Sequence, residues 1–227
     1  MLLLWNYFVL SFTALLPLIN PLGSALIFLG LVGPAPIPVY RSLARRIAIN
    51  TVLFLVAIDL LGSALLRFFG ISLPIVQVSG GLVIAAIAWR MLNQESTDLT
   101  PEKMQAASQV HPGDIAEDLR QKIFYPFTFP ITAGPGTIVV MLTLAAHTPQ
   151  RPIPENLLAH AGLLIAILVL CLSVYFCYAY APGIAHRISP STAHGILRVI
   201  AFILLCIGVQ IAWNGLLPLL ANIVHPK

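Results

Sequence analysis

The chain has 227 residues, of which 59% are apolar and only 9% are charged, and its mean hydropathy is +0.93. This composition excludes an ordinary soluble domain and predicts an all-α integral membrane protein. The formal net charge is +4, but no basic stretch carries interleaved aromatic residues, so nucleic acid is not an expected partner.

Six apolar stretches predict six membrane-spanning helices, because about 20 residues at about 1.5 Å each cross roughly 30 Å of hydrocarbon. The first stretch is too long for the apolar core of a signal peptide, so we expect it to be retained. The predicted spans are residues 4–32, 47–66, 71–92, 123–146, 157–180 and 195–220.

Residues 93–121 are the one long polar segment and hold six of the eight acidic residues, which predicts a solvated cytoplasmic loop. The loop separates a first three-helix repeat, residues 1–92, from a second, residues 122–227, within a single membrane domain. Because each repeat has three spans, the two repeats have opposite topology, and we expect an inverted repeat. Lys and Arg lie nine to three in favour of one side, which predicts that both termini are on the non-cytoplasmic side.

Helices 1 and 4 are predicted to be interrupted, because Pro and Gly residues fall in the middle of their apolar sequence. A proline inside a helix donates no hydrogen bond, and its ring collides with the carbonyl four residues back. Within lipid such a break is tolerated only where the freed backbone faces protein, water or a ligand. The two motifs are Pro17, Asn20, Pro21, Gly23 and Ser24 in helix 1, and Thr128, Pro130, Thr132, Gly134, Pro135, Gly136 and Thr137 in helix 4.

Each break also predicts a helix restart at the candidate site. Asn20 is a good N-cap for a helix that begins at Pro21, and Gly134 is an acceptable one for a helix that begins at Pro135. Both positive helix ends are expected near the bilayer midplane, where they would bind an anion or a substrate carboxylate. The alternative is that the prolines only kink the helices for packing. The candidate substrate-binding residues are Asn20, Pro21, Gly23, Ser24, Thr132, Gly134, Pro135, Gly136, Thr137 and Gln210.

Two further polar residues lie inside predicted spans. Gln210 is deep in the sixth span, and we expect it to face the interior and to bond the broken segments. Asp59 is the one acidic residue deep in a span, which makes it a candidate for proton or cation coupling. The alternative for Asp59 is a hydrogen bond to Ser63 or to another helix.

Several chemistries are not expected from this sequence. The three cysteines and six histidines show no metal-ligand spacing, so we expect neither a metal site nor a cofactor. The sequence contains no Walker-type phosphate-binding loop, so direct use of ATP is not expected. Ser, His and Asp residues occur singly, so an enzyme is not expected either.

The two motifs, with Gly70, Pro74, Gly80 and Gly81 between them, resemble the MarC family of six-span inner-membrane proteins. The similarity extends over essentially the whole chain, and Ala133 to Thr137 is its most specific part. The resemblance implies a multi-pass protein of the cell inner membrane. Some related proteins are described as neutral amino acid transporters. Relatives often carry Arg where this chain has Gln77.

The sequence therefore predicts a secondary transporter of a small polar or zwitterionic solute, with alternating access about the two broken helices. The bilayer and the solute are the expected partners. A passive channel, a structural partner protein and a lipid-acting membrane enzyme are the alternatives. The solute, the coupling ion and a homo-oligomeric state are left open by the sequence.

Overall fold

A computed structural model describes residues 2–33, 35–93, 122–146, 153–187 and 190–224, and every regular element in these ranges is a helix. The predicted loop at residues 93–121 lies almost wholly outside the described residues. The helices are α1 (Leu2–Ile19), α2 (Pro21–Val32), α3 (Ile37–Phe68), α4 (Leu73–Asn93), α5 (Ile123–Thr132), α6 (Pro135–Ala146), α7 (Ile153–Ala179), α8 (Ala181–Arg187) and α9 (Pro190–Val224).

The lengths and compositions of these helices confirm an all-α integral membrane protein. Within the described ranges, five spans are long and apolar enough to cross a membrane, and the bent pair α5 and α6 brings the number to as many as six. Helices α1 and α2 count together as one span of 31 residues, whereas α5 and α6 meet at an angle of 70°. Both predicted interruptions are present, but only the second turns the chain strongly. The inversion between the two three-helix repeats stays a prediction.

The helix bounds correct the sequence prediction at two places. α3 begins at Ile37, about three turns before the predicted start, because Pro38 falls in its first turn, where a missing N–H is tolerated. Arg41, Arg45 and Arg46, which precede the predicted span, therefore lie within the helix. The predicted connection after the fifth span contains the short helix α8, and α9 begins at Pro190.

Glycines bring α4 and α9 into close contact. A Cβ atom on Gly81 would lie 2.4 Å from the backbone nitrogen of Ala212, and one on Gly208 would lie 2.6 Å from that of Ala85. Gly215 likewise faces the backbone of α4. Only glycine allows two helix backbones to approach so closely. In lipid, burial of apolar side chains does not drive two helices together, so membrane helices associate through the close packing that small residues allow.

The remaining helices pack around a separate buried core. α7 packs against α1, α2 and α3, and α4 touches this group mainly through α6. Gly80 of α4 faces Val139 of α6, and Gly136 of α6 faces Ile84 of α4. The α4–α9 pair therefore lies beside the rest of the bundle, and the junction between the two passes through the second break.

Candidate functional site

The first break is confined to one residue, Asn20. Its backbone is left-handed, with φ 42° and ψ 69°, a conformation that asparagine adopts more readily than most residues. The Asn20 side chain caps α2, because its Oδ1 accepts a hydrogen bond from the Gly23 N–H at 3.1 Å. A Cβ atom on Gly23 would lie 2.2 Å from Asn20 Nδ2, so the cap requires glycine at this position.

Helical hydrogen bonds continue on both sides of Asn20. Its N–H donates to Leu16 O at 2.9 Å, and its carbonyl accepts from the Ser24 N–H at 2.9 Å. The Ser24 hydroxyl also donates to the Asn20 carbonyl, at 2.9 Å. These bonds hold α2 close to the line of α1.

The second break spans a wider region. In α5 the backbone bonds close over five residues, as from the Ala133 N–H to Thr128 O at 2.8 Å, and the backbone leaves helical geometry at Tyr125 and Phe129. The hydroxyls of Thr128 and Thr132 also donate five residues back, to Ile123 O at 2.8 Å and to Phe127 O at 2.7 Å. Ala133 leaves helical geometry with φ −122° and ψ 86°, and α6 then begins at Pro135. Because Pro135 has no N–H and the Ile138 N–H bonds to Gly134 O, the N–H groups of Gly136 and Thr137 are free of helix partners.

The two breaks line one cavity of about 320 Å³. Seven of the predicted residues contribute to its wall, namely Asn20, Gly23, Ser24, Gly134, Pro135, Gly136 and Thr137. An apolar wall completes it, formed by Leu18, Ile19, Ile27, Ile84, Ile87, Met91, Pro130, Ile131, Leu197 and Leu204. The structure thus brings the two motifs together, as expected from their positions in the sequence.

Thr137 is the most informative side chain in this cavity. It is 1% exposed, and its hydroxyl has no hydrogen-bond partner among the described residues. A buried hydroxyl without a partner costs free energy, so its presence calls for a ligand or a water at that point. The same turn of α6 supplies the unpaired N–H groups, and none of the described residues that line the cavity is charged. The positive potential here therefore comes from helix ends.

Three predicted residues lie outside the cavity wall. Pro21 is buried as the first residue of α2. Thr132 is fully buried, and its hydroxyl accepts a hydrogen bond from the Tyr178 hydroxyl at 2.8 Å, because it donates its own proton to Phe127 O. Gln210 is exposed and donates to Asn214 Oδ1 at 2.8 Å on its own helix. The expectation that Gln210 faces the interior and bonds the broken segments is wrong.

Sequence reasoning missed Tyr178, which joins the two breaks from α7. It is fully buried, and its hydroxyl donates a hydrogen bond to the Thr132 hydroxyl in α5. Its ring stacks on Phe28 at 4.5 Å, and Phe28 also contacts Phe127. In the sequence Tyr178 is one tyrosine near the end of an apolar run, and no local pattern distinguishes it.

Asp59 does not reach the cavity. Its carboxylate is bonded to the Nδ1 atom of His160 on α7, at 2.9 Å for Oδ2 and 3.1 Å for Oδ1. The alternative of a bond to another helix is therefore the observed one.

Comparison with known proteins relates this chain to a family. A family model described as "MarC family integral membrane protein" matches residues 5–220. Among relatives, a protein of Salmonella typhimurium strain LT2 is 28% identical over 216 residues, or 93% of this chain and 94% of the relative. One from Escherichia coli O1:K1 is 29% identical over 214 residues, with the same coverage. Both are named "UPF0056 inner membrane protein MarC". No solved structure matches the chain.

Proposed function

The chain belongs to the MarC family of integral membrane proteins, and on that premise we propose that it carries a small zwitterionic solute of the neutral amino acid type across the inner membrane. The relatives are named inner membrane proteins, which supports the location. One observation carries the proposal: the buried, unpartnered Thr137 hydroxyl and the free N–H groups of α6 face the same cavity as the first turn of α2.

A carboxylate is the ligand group that this arrangement fits best. Helix N-termini bind anions through their free N–H groups and their positive dipole end, and Thr137 adds a hydroxyl donor. Asn20 Oδ1 is engaged by Gly23, which leaves the Nδ2 amide of Asn20 as a further donor at the cavity wall.

The solute should also be neutral overall and small. A net charge inside an uncharged, largely apolar cavity would be costly, whereas a zwitterion can place its ammonium group near the carbonyl groups at the ends of α1 and α5. Ile19, Pro130 and Ile131 line the cavity at those ends. A volume of about 320 Å³ corresponds to roughly ten water molecules at about 30 Å³ each, which is enough for a small solute.

The solute is proposed to reach the cavity from the inner end of the bundle, because the cavity extends in that direction. It follows one face of α4 along Ile84, Ile87 and Met91, and Met91 is close to the end of that helix at Asn93. At the second break, Gly136 packs against Ile84 and Leu18. In the proposed carrier, the solute would reach the cavity along this face of α4, and the α4–α9 pair would move against the rest of the bundle.

Counterflow in proteoliposomes tests the proposal. Vesicles with the full chain are loaded with unlabelled alanine, serine or glycine, and the entry of the labelled solute is followed. Transient accumulation of label above equilibrium supports a carrier. Equilibration without overshoot would indicate a passive channel instead, and no entry of any of the three would contradict transport of this solute class.

A pair of matched variants connects the activity to the cavity. Gly134→Leu places a large side chain at the second break and should abolish counterflow. Gly195→Leu makes the same change on α9, where a Cβ meets no atom within 4 Å, and should retain it. Equal loss in both would separate the activity from the cavity.

A further inference from the structure

The Asp59–His160 pair is the one described contact between an acidic side chain and a histidine within the spans. It lies on two different helices, α3 and α7, away from the cavity. We propose that this pair binds the proton whose movement drives solute transport, with the proton held at Nε2 of His160. This inference rests on the proposed transport function and adds its energy source.

The depth of the pair is the first argument. Asp59 is nine residues before the end of α3 at Phe68, which is about 13 Å at about 1.5 Å per residue. The leucines that follow it, Leu60 and Leu61, are 67% and 57% exposed, as expected of side chains that face lipid. A carboxylate at this depth is costly unless it is paired, so an ionisable pair here is a functional candidate.

The geometry of the two groups determines which nitrogen can take up a proton. Both carboxylate oxygens lie within 3.1 Å of His160 Nδ1. When Asp59 is ionised, Nδ1–H is the donor to the carboxylate and Nε2 is left to accept a proton. Without the transported proton the pair has a net charge of −1, and with it the pair is neutral. The Asp59 side chain is 10% exposed and that of His160 is 33% exposed, so the histidine is the accessible member.

A third, independent observation lies one turn along α7. The Asn156 Oδ1 atom is buried and has no hydrogen-bond partner among the described residues. Asn156 is four residues before His160 and therefore on the same face of the helix, nearer the end at which α7 begins. An unsatisfied buried acceptor at this place calls for a proton donor such as water, which would form the step between solvent and His160.

Among the described residues, no other charged group acts on the Asp59 carboxylate. His160 is the only side chain that acts on the Asp59 carboxylate through charge or hydrogen bonding among the described residues. The other titratable groups in the same half of the surrounding helices are Tyr7 on α1, Arg67 on α3 and Glu155 on α7, and α6 carries none. A change in pH would therefore act on the pair itself.

The helix α6 links the pair to the cavity. Leu142 of α6 covers Gly62, one turn beyond Asp59, so closely that a Cβ on Gly62 would lie 2.3 Å from its side chain. The first turn of the same helix, at Gly136 and Thr137, lines the cavity. A shift of α6 on solute binding would therefore change the packing beside the pair, and a proton taken up from one side could be released to the other.

Two measurements on proteoliposomes of the full chain test the proposal. An acid-outside pH gradient should drive the accumulation of labelled solute, up to about tenfold per pH unit for one proton per solute. A pH dye inside the vesicles should show acidification as the solute enters. Counterflow of the wild-type chain without any gradient reports separately on the proposed transport function.

Asp59→Asn and His160→Gln keep size and hydrogen bonding but remove the proton exchange. Both should retain counterflow within about twofold and lose the response to the gradient, whereas Ser63→Ala, one turn further along α3, should keep both.

The outcomes separate the two proposals. Wild-type counterflow without acidification or gradient-driven accumulation overturns the proton assignment and leaves the carrier intact. The proton assignment is also overturned if a sodium gradient drives accumulation in place of protons, or if both pair variants respond to the pH gradient as the wild type does. Absence of wild-type counterflow overturns the carrier and the proton site with it. Should one pair variant fail to fold, the wild-type dye measurement still decides whether a proton is coupled, and the other pair variant still tests the site.

Discussion

Replacing Thr137 by valine separates a binding role from a structural one more sharply than any other single change in this chain. Valine has nearly the shape of threonine, so the buried position stays filled. Only the hydroxyl is lost, and in the protein without solute that hydroxyl has no partner among the described residues.

The expected magnitudes have opposite signs. An unsatisfied buried hydroxyl costs about 1–3 kcal/mol, so Thr137→Val should raise the free energy of unfolding of the empty protein by up to that amount. A hydrogen bond to a charged carboxylate is worth about 1.5–3 kcal/mol, so its loss should weaken solute binding about ten- to a hundredfold. A purely structural threonine would not combine a gain in stability with a loss of affinity.

The assay is a thermal midpoint in detergent together with the solute concentration that gives half-maximal counterflow. Thr51→Val is the matched control, because Thr51 is equally buried but its hydroxyl donates to Ile47 O at 2.8 Å. That variant should lose about 1 kcal/mol of stability and keep its affinity. If Thr137→Val binds solute as the wild type does, or is destabilised as Thr51→Val is, the reasoning is refuted.

Three further changes test other parts of the structure. Gly23→Ala should displace the Asn20 cap and lower the free energy of unfolding by about 1 kcal/mol, since the new Cβ would lie 2.2 Å from Asn20 Nδ2. An unchanged thermal midpoint would contradict this cap. Gly208→Ala should cost about 1–3 kcal/mol by forcing α9 away from the backbone of α4, while Gly195→Ala on the same helix should be neutral or stabilising in the same melt. Tyr178→Phe should cost about 0.5–1.5 kcal/mol and slow counterflow, because it removes the hydroxyl that holds Thr132 at the second break to α7; transport at the wild-type rate would argue against that link.

The positions of the breaks could be predicted because their causes are local. Proline lacks a donor wherever it stands, and Asn20 and Gly134 are cap residues by their own chemistry. The pairing of the two motifs then followed from their places in the two halves of the chain. Seven of the ten candidate residues line one cavity for this reason.

The faces of the helices could not be predicted in the same way. In a membrane both the lipid-facing and the buried side of a helix are apolar, so α9 shows no stripe that would reveal where Gln210 points. The Asp59–His160 contact and the role of Tyr178 depend on how α3, α5 and α7 pack, which no local pattern encodes. The α4–α9 contact does have a sequence signal: Gly81 with Ala85 and Gly208 with Ala212 repeat small residues four apart, which is typical of close helix pairs.

The two breaks differ in a way that assigns them different parts of the proposed site. At the first, one left-handed residue keeps the hydrogen bonds on both sides, and the asparagine side chain occupies the Gly23 N–H, so α2 presents mainly the amide of its own cap. At the second, Ala133 and Gly134 both lie outside the helices and the chain turns by 70°. That turn leaves α6 with two free N–H groups and the unpartnered Thr137 hydroxyl at the cavity. Because a carboxylate needs several donors directed at one point, we propose that the solute's carboxylate binds at α6 and that the α2 side of the cavity selects its size and its remaining polar groups.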